Sequence, residues 1–308
     1  MYILKNNMKI LKSIRKYLSE QAYYIGFLLP NEMKLPEAER FNSIHWLNLN
    51  GYKTGWFADP FILNVSDYSV ELFVEEWEYS KKKGRLCLLN IIRENKNFVL
   101  EKVTPILELE THLSFPITIE HEGKLFVYPE NYESGKLSIY EYDYEECKLT
   151  NPIVIIERPL LDTQIIKKGN TYYALGVEFI SGEQKDTRTL QVFSSKSLFG
   201  PFKHIQTYTN ELCEERGAGD IFEIDEKLYR PVQCCEGDYG KAVIIRELSL
   251  EQNGIMSQKE VNRILPIYTS KYGKGLHTFN LKNELYVIDG RDYRYRTLAR
   301  TVRRILNK

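Results

Sequence analysis

With 308 residues, 43% of them hydrophobic and 27% charged, the chain can bury a sizeable core and has the composition of a globular protein. Its 42 basic and 42 acidic residues cancel, which argues against a dedicated nucleic-acid binder with the usual strong basic bias. The five cysteines include no C-x-x-C pair, and no apolar run approaches the roughly 20 residues that cross a bilayer. A disulfide framework and a membrane span are therefore not expected, and free thiols point to the cytoplasm.

Residues 1–40 read as an N-terminal amphipathic helical extension. Leu11, Ile14 and Leu18 share one helical face, surrounded by Lys9, Lys12, Arg15 and Lys16. Basic residues interrupt the apolar positions, so no signal peptide is expected.

From about residue 41 the pattern changes to strands. "GWFADPFI" at 55–62 sets one carboxylate, Asp59, among Trp56, Phe57, Pro60, Phe61 and Ile62, with no neighbouring Lys or Arg. Burying such a group costs several kcal/mol unless it is hydrogen-bonded or paired, roughly 3–5 kcal/mol in known cases. "ADPFI" has counterparts in "SFPIT" (114–118), "LDTQI" (161–165), "GDIFE" (219–223) and "LHTFN" (276–280). Their third positions, Pro60, Pro116, Thr163, Ile221 and Thr278, are 56, 47, 58 and 57 residues apart.

Each unit continues to a turn ("NVSDYS", "EHEG", "KKGN", "IDEK", "LKNE") and a second, aromatic-rich strand ("ELFVEEW", "KLFVYPE", "TYYALGV", "KLYRPVQ", "ELYVIDG"). Several show a third, such as "RLCLLNII" and "AVIIREL". A strand set recurring every 40–60 residues or so marks propeller blades. The fold class is therefore all-β: a five-bladed β-propeller over 41–292 with short N- and C-terminal helical extensions. A β-sandwich, or two β domains, is the competing reading.

In a propeller, equivalent positions of the inner strands converge on one channel. Asp59 then joins Phe115, Asp162, Asp220 and His277 on one ring. Glu75, Glu130, Val177, Gln233 and Gly290, near the ends of the second strands, form another. Arg216, Arg230 and His112 lie close enough in sequence to neutralise part of the charge. Crowded carboxylates split their pKa values, so one can act as an acid while another stays ionised. An aspartate capping its own turn is the alternative for any single member.

The chain closes with a basic helix at 293–308, Leu298, Val302 and Ile305 against Arg300, Arg303 and Arg304. Both basic ends either cover the propeller's rim or rest peripherally on an anionic membrane at its inner face. No G-x-G-x-x-G, Walker, D-x-D or H-E-x-x-H pattern is present, so no cofactor or metal is implied. Adjacent Cys234 and Cys235 read as buried filler.

"GWFADPFI…LFVEEW", "HLSFPITIEHEGKLFVYPE", "PLLDTQII", "GAGDIFEIDEKLYRPVQ" and "GLHTFN…YVIDG", in that order, resemble the N-terminal domain family of plant glucosamine inositolphosphorylceramide transferase. They resemble equally a stand-alone bacterial member found with surface-polysaccharide genes. More distantly the chain is similar to five-bladed arabinanase and fructosidase-type hydrolases, which use an Asp-Pro aspartate in blade 1 as base or nucleophile. The resemblance implies that Asp59 is this base or nucleophile, that Glu75 or Glu130 donates the proton, and that Asp162 modulates or binds sugar.

Arg216, Arg230, Asp220, Gln233, His112 and His277 then hold hydroxyls or an anionic group, and Trp56, Trp77 and Phe115 stack on sugar faces. The partner expected is a sugar or glycan, which the basic ends would suit if lipid-linked, and not nucleic acid. Two functions remain: an enzyme acting at a glycosidic linkage, by hydrolysis or transfer, or a non-catalytic glycan-binding module serving a partner glycosyltransferase.

Overall fold

The computed structural model describes residues 19–294 except 31, 33–34, 36–42, 181–186, 209–214, 236–238 and 252. Five four-stranded antiparallel sheets form the five blades of a β-propeller. Blade 1 consists of Gly55–Val65, Ser69–Glu78, Lys83–Glu94 and Asn97–Leu107. Blade 2 follows with Thr118–His121, Lys124–Val127, Leu137–Asp143 and Lys148–Ile156, and blade 3 with Leu160–Lys168, Thr171–Ile180, Thr187–Ser195 and Lys203–Tyr208. Phe222–Ile224, Lys227–Cys234, Ala242–Glu251 and Gly254–Ile264 make blade 4.

Blade 5 is assembled from both parts of the chain. Phe279–Lys282 and Leu285–Arg294 supply its inner strands, and Glu20–Leu28 and His45–Trp46 its outer pair. This corrects the expected helical extension over 1–40 and a propeller beginning at 41. "EQAYYIGFL" is a strand, in antiparallel register with the last described strand from Glu20 opposite Arg294 to Leu28 opposite Tyr286. Its Tyr, Ile and Phe residues favour a sheet, and pairing it with the last strand closes the ring without a covalent link. The remaining helical expectations, over 1–18 and 295–308, lie outside the described residues.

Strand periodicity of two explains how each blade is held. In blade 1, Val70, Leu72 and Val74 point one way and join Cys87, Leu89 and Ile91 against Ile25, Phe27 and Val287 of blade 5. Phe73, Leu86 and Leu88 point the other way, into a cluster with Leu125, Val127 and Ile139 of blade 2. Separate clusters seal blade 3 to 4, around Leu175 and Leu248, and blade 4 to 5, around Ile245 and Ile288. Every blade therefore buries both faces, each full side chain contributing about 1.5–3 kcal/mol. The inner strands are left to present their polar ends to the axis.

Candidate functional site

The repeated "ADPFI" motif is a β-bulge. Register slips occur between Ala58 and Phe61 and between Leu161 and Gln164, and the residues inside the repeat adopt left-handed backbone: Asp59 (φ 49°), Phe115 (φ 48°) and Asp162 (φ 41°). This conformation costs a non-glycine residue roughly 1–2 kcal/mol, and a bulge re-aims the side chain it carries. Here the bulge amides are put to use across blades. Asp59 N donates to Asp289 Oδ2 of blade 5 (3.3 Å), and Phe115 N donates to Asp59 Oδ2 (3.1 Å).

A cavity of about 420 Å³ opens over these bulges. Asp59 and Glu75 of blade 1, Glu130 of blade 2 and Asp162 of blade 3 all line it, as do Arg216, His112 and His277. Arg216 binds Asp162 Oδ2 through Nε (2.7 Å) and reaches Glu130 Oε2 through Nη2 (3.4 Å). Gln233 Nε2 also donates to Asp162 Oδ2 (2.7 Å). Asp59 Oδ1 accepts from the Thr278 hydroxyl (2.6 Å), with His277 Nε2 at 3.9 Å.

On its far side, His277 Nδ1 contacts Asp289 Oδ2 (2.5 Å), while Asp289 Oδ1 accepts from the backbone of His277 (2.9 Å) and Thr278 (3.1 Å). His277 stacks on Tyr23 at 4.4 Å, which fixes the ring plane.

These contacts divide the acids. Burial would raise Asp289, but His277 and the surrounding amides win and hold it below the usual range. Burial would lower His277, yet the Asp289 charge and hydrogen bond outweigh it and keep it above its ordinary value. Glu75 has no such support: His112 Nε2 stands 3.7 Å away, and that ring is itself held toward its neutral form. Burial pushes Glu75 well up, and the charges of Asp59 and Glu130 push further.

Glu130 is lifted to about 8 by burial and then by Asp162, against the pull of Arg216. Burial raises Asp59 as well, opposed first by His277. His112, whose Nδ1 accepts from Gly84 N (2.8 Å), is lowered by burial and so presents a neutral Nε2–H toward Glu75.

One wall of the cavity is aromatic. Tyr23, Trp56, Trp77 and His112 follow one another with centroid spacings of 5.3, 5.7 and 5.7 Å, the two indoles nearly parallel at 4°. Two buried lining atoms, Tyr23 Oη and Gln233 Oε1, have no hydrogen-bond partner among the described residues, and such atoms ordinarily have one. Asp59, His277 and Asp289 each offer a ligand atom within 4.8 Å of the others, a spacing that could surround a cation.

Ten of the thirteen expected site residues therefore meet in one cavity: Asp59, Glu75, Glu130, Asp162, Trp56, Trp77, His112, Arg216, Gln233 and His277. The other three do not line it. Phe115 lends only its backbone amide, and its ring meets Phe61 edge-on at 5.0 Å in the core. Asp220 is displaced by register. Gln233 N donates to Arg216 O and Gly217 bridges Val232, so Arg216 stands opposite Gln233 and Asp220 falls farther along the strand. There its amide donates to Asn280 Oδ1 (2.7 Å), and burial lifts its carboxyl to about 7.

Arg230 lies three residues from Gln233, an odd step that turns it to the opposite face. It is wholly buried, with Nε on Gln164 Oε1 (2.7 Å) and Nη1 on Glu215 Oε2 (3.0 Å). Tyr23, Tyr239 and Asp289 escaped the sequence reading. Tyr23 belongs to the strand mistaken for a helix, and Asp289 sits one residue before the Gly290 ring position in "YVIDG".

The family described as "Glucosamine inositolphosphorylceramide transferase 1, N-terminal" matches residues 36–287. Glucosamine inositolphosphorylceramide transferase 1 of Oryza sativa subsp. japonica is 25% identical over 228 residues, 73% of this chain and 30% of the plant protein. Its Arabidopsis thaliana counterpart is 25% identical over 236 residues, 75% and 30% of the respective chains. The chain thus spans under a third of the length of these relatives.

In fold, it resembles α-L-arabinanase of Cellvibrio cellulosa, solved with arabinohexaose (TM-score 0.52, 11% identity, 72% of this chain and 84% of that one). It also resembles a thermostable family-43 glycoside hydrolase (TM-score 0.50, 11% identity, 71% and 82%). On the extent of the sequence match, the chain belongs to the glucosamine inositolphosphorylceramide transferase 1 N-terminal family.

Proposed function

We propose that the chain is a carbohydrate-active enzyme that acts at a glycosidic linkage, in assembling or trimming a surface polysaccharide or glycolipid. The observation that carries this reading is the unequal state of four carboxylates around one cavity: burial pushes Glu75 and Glu130 toward the protonated form, Asp162 is paired with Arg216, and Asp59 is hydrogen-bonded to Thr278 and faces His277. Bond cleavage at an anomeric carbon needs such a pair. Asp59 acts as base or nucleophile. Glu75, without an ion pair of its own, protonates the leaving oxygen, with Glu130 the alternative donor.

Asp162, pinned by Arg216 and Gln233, holds substrate hydroxyls rather than moving a proton. Trp56 and Trp77 stack on a sugar face, and the unpaired Tyr23 Oη and Gln233 Oε1 receive its hydroxyls. The names of the plant relatives and the arabinohexaose complex of a fold neighbour agree with a glycan ligand.

A second reading, a glycan-binding module for a separate transferase, has one observation in its favour. The chain matches only 30% of relatives whose name is a transferase, leaving most of each relative to carry the chemistry. Screening glycans and sugar nucleotides against wild type, Asp59→Asn and Glu75→Gln separates the two. Retained binding with lost turnover in both variants supports the enzyme. Glycan binding without turnover in the wild type supports the module, and an absence of glycan binding removes both readings.

A further inference from the structure

The cavity opens at the end of blade 1 where Gly55 enters the first strand and Glu78 leaves the second. The first and last strands of the described chain both reach this same rim. Glu20 pairs with Arg294 at the top of blade 5, and Gln21, one residue inward, lines the cavity.

Beyond that pair, segments 1–18 and 295–308 hold ten of the 42 basic residues and none of the 42 acidic ones. Charge is therefore segregated along the chain: the remainder holds 32 basic residues against 42 acidic ones, and the two basic segments continue from strands that end at this rim.

The described rim continues this character. Lys53, Lys82, Lys271 and Lys274 are exposed in its turns. Arg294 lies over the rings of Tyr24 (5.2 Å) and Tyr79 (5.6 Å), Tyr24 stacks on Tyr272 at 3.7 Å, and Lys271 lies over Tyr272. Glu78 and Glu108 on this rim are already paired with Lys81 and Arg85. Half-buried tyrosines with polar tips, framed by cations, suit the boundary between lipid headgroups and water.

We infer that this rim docks on an anionic membrane surface with the pocket mouth toward the headgroups. Interleaved apolar residues single out a membrane over a nucleic acid. Leu11, Ile14 and Leu18, and Leu298, Val302 and Ile305, recur at three- and four-residue steps among the basic ones, and phosphodiester binding has no use for them. Each basic residue held near such a surface strengthens binding roughly fivefold.

The test uses the full chain, sedimented with vesicles of pure phosphatidylcholine and of phosphatidylcholine mixed with phosphatidylglycerol. Binding to the mixed vesicles alone, weakening as salt rises, is expected. The quadruple variant R296Q/R300Q/R303Q/R304Q should bind more than about a hundredfold more weakly, with the propeller's unfolding transition unchanged. Orientation is read from tryptophan quenching by nitroxide-labelled lipid. Trp56 and Trp77 line the pocket at this rim, whereas Trp46, opposite Gly26, lies nearer the other end of blade 5, and Tyr68, 80% exposed, turns at the opposite end of blade 1.

Quenching of Trp56 and Trp77, and none of the added one in Tyr68→Trp, supports the inference. Equal binding to both vesicle types, no binding, or quenching confined to the added tryptophan overturns it. Vesicle binding without any glycan binding would sink the sugar reading and leave the docking intact.

Discussion

Glu130→Gln isolates one of the acids that the pocket keeps protonated. In the folded chain the Glu130 pKa rises from 4.5 to about 8, chiefly through burial and then through Asp162. Between these values the native state holds a proton that the unfolded chain has released, so wild-type stability falls by about 1.4 kcal/mol per pH unit. The contribution is complete below pH 4.5 and is lost as pH rises through about 8. The distance from 4.5 to about 8 sets a ceiling of about 5 kcal/mol, and an expected figure of about 3–5 kcal/mol.

Glutamine matches the shape of the protonated acid and never ionises. The variant and the wild type should therefore unfold with similar free energies near pH 4.5, and the variant should be several kcal/mol the more stable at roughly pH 9. Chemical denaturation across that range, with the difference between the two proteins plotted against pH, makes the comparison. The 3.4 Å contact with Arg216 works the other way, since an ionised Glu130 would gain from it. A difference that stays flat, or that favours the wild type at high pH, would show Glu130 ionised and paired, and the division of the pocket into acids and bases would fail.

Arg216→Gln removes the cation paired with Asp162 and leaves that buried carboxylate without its ion pair. It should cost about 3–5 kcal/mol near neutral pH, as chemical denaturation would report. Asp289→Asn takes away the partner that raises His277, so the His277 ring protons, followed by NMR titration, should show a lowered pKa; an unmoved titration contradicts the Asp289–His277–Asp59 arrangement. Phe73→Ala opens the seam between blades 1 and 2 and should destabilise by about 3–5 kcal/mol without altering the pH dependence of ligand binding.

Much of this architecture is legible because a propeller writes its period into the chain. Five recurring bulge motifs and their aromatic second strands are enough to count blades and to bring Asp59, Glu75, Glu130 and Asp162 to one axis. Legibility stops where an element lacks its own repeat. The strand Glu20–Leu28 belongs to blade 5 but precedes blade 1 in sequence, and its basic neighbours drew it into a helical reading.

Blade 4 pairs its inner strand differently from the others, so matching "GDIFE" by letters carried Asp220 past the ring, while Arg216 came to stand opposite Gln233. Arg230 failed by parity, because proximity in sequence says nothing about which face of a strand a residue uses. Asp289 was hidden for a further reason: its role is to hold His277 and two backbone amides, and no local pattern announces a carboxylate that serves the neighbouring blade.

Phe115 points to what the bulge contributes. It shares the left-handed backbone of Asp59 and Asp162, though its side chain can neither ionise nor reach the cavity. What it supplies is an amide directed at the carboxylate of the preceding blade, as the Asp59 amide does for Asp289. The strained turn therefore does two jobs at separable atoms: in blades 1 and 2 its N–H ties the blade to the preceding one, and in blades 1 and 3 its acidic side chain faces the pocket. Strain of roughly 1–2 kcal/mol per turn is offset by a charge-assisted hydrogen bond worth about 1.5–3 kcal/mol. The site's acids are thus part of what closes the propeller. Removing the Asp59 carboxylate leaves the Phe115 amide and the Thr278 hydroxyl without an acceptor, so loss of chemistry and loss of stability come from the same atoms.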